Sequence, residues 1–151
     1  MNRLKTLALL LWIAISATAQ DESGQPAQEP FDWEPVINAI AYIESRHQPN
    51  ARCGQYLGIL QIAPVMVREC NNILKQRGES RRFTYEDRRS PEKSKEMFRV
   101  IMSKYNPEND IDKACRLWKA GIGYNIQRTQ KFVNRVRAIM KQQQQANEKK
   151  D

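Results

Sequence analysis

The amino-acid sequence predicts an all-α, helix-dominated fold of about five helices with at most a tiny β-hairpin. Three observations lead there. Apolar residues recur at helical spacing in five separate segments. Residues that start or stop helices frame most of those segments. No stretch alternates apolar and polar residues for long enough to read as a half-buried strand. A length of 151 residues suits one domain with a core of its own, and internal repeats are absent.

The first segment, MNRLKTLALLLWIAISATAQ, differs from the rest. Arg3 and Lys5 precede an apolar run from Leu7 to Ile15, and Ala17-Thr18-Ala19 supplies the small residues that a signal peptidase requires. Residues 1–19 are expected to be a secretory signal peptide, since the run is short of the roughly 20 apolar residues that span a bilayer; an uncleaved membrane anchor is the alternative. No Cys follows the cleavage site, which argues against a lipoprotein anchor. Residues 20–31, polar and carrying two prolines, read as a linker, and the folded domain is expected over 32–141.

Asp32 is placed to cap the first helix, with Glu34 and Pro35 in its first turn and a stripe of Ile37, Ile40, Ala41 and Glu44. Pro49, Gly54 and Gly58 make residues 47–60 an irregular loop with room for a short hairpin over 52–60. A second helix is expected from near Pro64 to Gly78, on Val67, Cys70, Asn71 and Leu74. The charged loop ESRRFTYEDRR follows. Ser90-Pro91-Glu92 starts a third helix, whose stripe of Met97, Phe98, Ile101, Met102 and Tyr105 is closed by Asn106-Pro107. Asp110 caps a fourth, with Ile111, Ala114, Cys115 and Trp118 before a stop at Gly121. A fifth carries Phe132, Val133, Val136, Ile139 and Met140, and the low-complexity tail at 142–151 is expected to be disordered.

The formal net charge is +8; without Arg3 and Lys5 there remain 23 basic and 17 acidic residues, or +6. A basic exported protein is drawn to anionic polymers such as cell wall or membrane surface. No nucleic-acid-binding motif is present, so that partner is not expected. With one His and no C-x-x-C spacing, neither a metal nor a cofactor is expected. Cys53, Cys70 and Cys115 allow one disulfide in three pairings plus a spare thiol; Cys70 and Cys115 lie on apolar stripes and read equally as buried thiols.

Glu44 is the feature that calls for chemistry, because an apolar helix stripe runs into a carboxylate near the helix end. An apolar surround and the negative end of a helix both work against the ionised form, and a carboxyl kept neutral is what a general acid needs. The plain alternative is a Glu on the edge of the stripe with its head in water.

The stretch ESRHQPNARCGQYLGILQI resembles the E-S-x-x-x-P-x-A … G-L-M-Q signature of the soluble lytic transglycosylases, a family related to goose-type lysozyme that cleaves peptidoglycan. Glu44, Ser45, Pro49 and Ala51 keep its register, and Gly58-Ile59-Leu60-Gln61 stands at its G-L-M-Q. SPEKSKEMF resembles the family's D-P-x-x-N-I helix start, and CRLWKAG its A-Y-N-A-G element, with Trp118 for Tyr and Lys119 for Asn. The resemblance covers about residues 33–140. It implies a lysozyme-like fold and a single catalytic Glu44, with Ser45, Gly58, Gln61, Trp118, Lys119 and Tyr124 as substrate-binding candidates.

Physical roles can be put beside these residues. Gly58 would let the backbone approach a sugar closely. Gln61 can donate to and accept from an N-acetyl group. Trp118 offers a flat apolar face and an indole N–H, or is simply core. Lys119 either faces Glu44, where a cation favours the ionised carboxylate, or points outward to bind substrate carboxylates. Tyr124 lines the cleft or starts the next helix.

A glycosidase ordinarily needs two carboxylates, yet residues 45–68 hold neither Asp nor Glu. The resemblance implies a reaction that needs one: Glu44 protonates the leaving oxygen, the substrate's N-acetyl group assists, and the muramic acid 6-hydroxyl closes a 1,6-anhydro ring. The expected protein is thus a monomeric, exported lytic transglycosylase, periplasmic or secreted, acting on peptidoglycan glycan strands without stable membrane insertion. The alternatives are a lysozyme- or endolysin-type hydrolase using Glu86 or Asp87, and a wall-binding module that has lost catalysis.

Overall fold

A computed structural model describes residues 30–149. The expected signal peptide and all but the end of the expected linker lie outside the described residues. The fold is helix-dominated, as the periodicity predicts. Helix α1 (Glu34–Ser45) leads into a two-stranded antiparallel hairpin, β1 (Arg52–Cys53) and β2 (Tyr56–Leu57), paired Arg52 to Leu57 and Cys53 to Tyr56. Then come α2 (Pro64–Gln76), a one-turn 3-10 helix at Glu86–Arg89, α3 (Pro91–Tyr105), α4 (Ile111–Ala120) and α5 (Ile126–Glu148). Helix α5 packs along α1 and α4, and α2 packs on α3. Among the described residues no helix is long and apolar enough to cross a membrane.

The predicted stripes build the core. Ile37, Ile40, Ala41, Val67, Cys70, Leu74, Met97, Phe98, Ala114, Cys115, Val133 and Val136 are all buried. An aromatic run threads through it, Trp33 against Phe98 at 5.6 Å between ring centroids and Phe98 against Trp118 at 4.9 Å. Edge and tilted contacts of this kind are worth about 0.5–1.5 kcal/mol each beyond the area they bury.

Caps were legible at two of the predicted starts. Ser90 accepts from the Lys93 N–H at 3.2 Å and Asp110 from the Lys113 N–H at 2.7 Å, each satisfying one orphan donor of the first turn. The start of α1 corrects the sequence reading. Its cap residue is Trp33, whose carbonyl takes the Ile37 N–H at 2.9 Å, while the Asp32 carboxylate accepts from Glu34 at 2.9 Å. Trp33 itself is buried in the core.

A further correction and a further finding concern polar segments. The tail read as disordered is helical as far as Glu148. Its glutamines, alanine and lysine are good helix formers with no Gly or Pro among them, and Gln144 donates to Glu148 one turn on at 3.0 Å. Polarity there excludes a core, not a helix. The Arg-rich loop is only partly solvated: Arg81–Glu79 and Arg89–Glu86 are exposed pairs, but Arg88 is buried. All three cysteines are free thiols, Cys70 and Cys115 buried and Cys53 exposed.

Candidate active site

Helix α1 ends where Arg46 (φ 54°) and His47 (φ 61°) turn left-handed, their N–H groups returning to the carbonyls of Tyr42 and Ala41. This closure leaves Glu44 in the last turn, facing the hairpin. The Ser45 hydroxyl donates to the Ile59 carbonyl at 2.8 Å and stands 3.1 Å from that of Ala41. Ser45 therefore fastens the helix end to the loop, and its hydroxyl is committed to that task.

The loop is shaped from within. Gln61 adopts a left-handed backbone (φ 49°), and its amide nitrogen donates to Ala51 and Gly58 carbonyls, both at 2.9 Å. Gly58 (φ 82°) has a different cause from the one the sequence suggested. A Cβ there would lie 1.7 Å from the Arg88 carbonyl oxygen, so the close approach that needs glycine is to the protein's own backbone. Arg88 in turn donates to the carbonyls of Gln55 (3.0 Å), Ile62 (3.1 Å) and Tyr85 (2.7 Å), tying hairpin, loop and 3-10 helix together.

Opposite stands the end of α4. The Trp118 indole N–H donates to the Leu60 carbonyl at 3.2 Å, so the donor expected for substrate is used internally, and one ring face packs on Phe98. Lys119 faces inward: its Nζ lies 3.1 Å from Glu44 Oε1 and 5.0 Å from the Phe132 ring centroid.

Glu44, Cys53, Tyr56, Leu60, Gln61, Trp118 and Lys119 line one cleft of about 390 Å³. Four residues singled out from sequence and flanking motifs thus meet: Glu44, Gln61, Trp118 and Lys119. Three do not line it. Ser45 and Gly58 support the cleft from behind, and Tyr124 is a half-buried residue packed on the core, its N–H bonded to the Gly121 carbonyl at 3.2 Å. Cys53 and Tyr56 were missed; their place on a hairpin between Glu44 and Gln61 was the available signal. Arg88 was missed because a charge run reads as solvated surface.

Among the described residues Glu44 is the one carboxylate of the cleft lining. Asp87 accepts from the Thr84 N–H at 2.7 Å within its own turn, and Glu86 is paired with Arg89 at 2.9 Å. A larger groove of about 770 Å³ lies between the start of α1 and the end of α5. It is lined mainly by amides and exposed charges and gathers none of the residues around Glu44. Among the described residues no group of His, Cys, Asp or Glu is poised to hold a metal ion.

No protein-family model matches the chain, and no curated protein or solved structure matches it either.

Proposed function

We propose that this chain is an exported peptidoglycan lytic transglycosylase of lysozyme-like fold, acting as a monomer on the β-1,4 bond between N-acetylmuramic acid and N-acetylglucosamine. The observation that carries the proposal is the cleft in which Glu44, the sole carboxylate of the lining among the described residues, meets Gln61 and Trp118 from separate parts of the sequence. Export rests on the character of residues 1–19 alone.

In this reading Glu44 gives its proton to the glycosidic oxygen as the bond to the anomeric carbon breaks. The substrate's N-acetyl oxygen assists at that carbon. Glu44 then takes the proton of the 6-hydroxyl, whose oxygen closes the anhydro ring, and the acid is restored without water. One carboxylate suffices, whereas enzymes with a protein nucleophile or a carboxylate-activated water hold a second one about 5–9.5 Å away. The commitments of Asp87 and Glu86 to their own turn argue against the hydrolase. The Lys119–Glu44 contact is what favours the other alternative, a wall-binding module without catalysis.

Mass spectrometry of muropeptides released from purified sacculi tests the proposal. Anhydro ends, lighter than hydrolysed ends by one water, are expected. Hydrolysed ends would make the protein a lysozyme, and no released product would leave the binding module.

A further inference from the structure

We infer that Lys119 is a lock on Glu44 that a ligand carboxylate opens, so that the cleft prefers glycans bearing free carboxylates over neutral ones. The inference rests on the proposed function and adds to it the substrate feature that releases the acid.

Lys119 is the outer partner of the pair, its side chain 47% exposed against 19% for Glu44. Its ammonium has three donors. Among the described residues its one hydrogen bond is to Glu44, and its other neighbour of note is the Phe132 ring, which attracts a cation without fixing its direction. The four-carbon stem is flexible. Lys119 is therefore held by one exposed contact and can exchange partners at low cost.

The cleft leaves that exchange one direction. Among the described residues the titratable ones lining it are Glu44, Cys53, Tyr56 and Lys119, so Lys119 is the one cation among them and no second described carboxylate stands there to receive it. A carboxylate brought in by the ligand is the group that can draw the ammonium away. Once it moves, Glu44 stands in a lining shared with Leu60 and Trp118 without its counter-charge and open to the glycosidic oxygen. A neutral glycan offers nothing to exchange and leaves the pair closed. The residue that holds Glu44 in the empty cleft thus becomes the one that reads the substrate.

Peptide-free glycan strands test this, because every muramic residue then carries a lactyl carboxylate that can be left free or converted to a methylamide. Cleavage and calorimetric binding of both forms are compared for the full chain and for Lys119→Gln. The wild type is expected to prefer the anionic strand by about tenfold or more, the scale of one charge-assisted hydrogen bond, and Lys119→Gln to cut and bind both forms within about twofold of one another. Equal treatment of the two forms by the wild type, or a preference that survives in Lys119→Gln, overturns the lock. Charge-dependent, Lys119-dependent binding without cleavage upholds carboxylate reading and overturns the enzymatic proposal. Failure to bind either form overturns both.

Discussion

The carbonyl oxygen of Arg88 occupies the space beside Gly58 where any other residue would carry its side chain, 1.7 Å from a Cβ at that position. Because Arg88 also holds the hairpin and loop through its guanidinium, backbone and side chain of one residue together set one wall of the Glu44 cleft. Gly58→Ala must move that backbone and adopt φ near +82° with a Cβ. A loss of at least about 1–3 kcal/mol is expected from the strained backbone alone, read as a fall in thermal midpoint. A variant as stable as the wild type would mean the Arg88 segment yields freely, and the account of Gly58 would fall.

Replacing the candidate acid separates chemistry from folding. Glu44→Gln keeps the size of the side chain and removes the proton it exchanges. Muropeptide release is expected to drop by about a hundredfold to ten-thousandfold, the range for one general acid or base, with far-ultraviolet dichroism unchanged. A drop of less than about tenfold, near 1.4 kcal/mol of barrier, excludes Glu44 as the acid.

Thiol reactivity should sort the cysteines by burial. Burial pushes Cys70 and Cys115 each up to about 12, leaving almost no thiolate at neutral pH, whereas Cys53 is exposed at the cleft. A thiol reagent is expected to label Cys53 alone in the native chain and all three cysteines after denaturation. Labelling of Cys53 with a bulky maleimide should also slow any cleavage by narrowing the cleft. More than one fast-reacting thiol in the folded protein would contradict the buried placements.

Acid should weaken the fold through two surface carboxylates. Burial alone would push Glu34 up, but its hydrogen bonds and charge contacts with Lys95 and Arg99 outweigh it and hold the carboxyl below its ordinary 4.5. Hydrogen bonds from Lys104 and Tyr105 lower Glu69 in the same way. Both groups keep their protons longer in the unfolded chain than in the folded one. The stability they contribute is full above the ordinary value of 4.5 and is lost as the pH falls through the lowered values. The double variant Glu34→Gln, Glu69→Gln should be less stable at neutral pH and show a flatter decline in melting temperature below pH 4.5. Parallel curves for variant and wild type would contradict it.

The helices were legible because each buries a stripe that its own periodicity announces, as Met97, Phe98, Ile101 and Met102 do on α3. Ser90 and Asp110 were legible as caps because capping is local chemistry. What stayed hidden was long-range. Arg88 binds a carbonyl 33 residues away, and no nearby residue marks it off from the exposed arginines on either side. Trp33 packs on Phe98, far along the chain. In the site, Glu44, Gln61, Trp118 and Lys119 were named from the sequence, but the pairing of Lys119 with Glu44 depends on how α4 meets α1. Ser45 and Gly58 were singled out for a sugar and stand against the Ile59 and Arg88 carbonyls of their own chain, since a residue type suited to a sugar is equally suited to a carbonyl.

The Glu44–Lys119 pair joins residues 75 positions apart, and that separation governs the order in which the site can come into being. Synthesis proceeds from the N-terminus, so Glu44 and the hairpin leave the ribosome first, then Arg88, and Lys119 only when most of the chain has been made. No prematurely terminated product ending before residue 119 can hold both halves of the cleft. A nascent fragment that ends before Trp118 therefore carries its carboxylate without its cation and without the Trp118 wall.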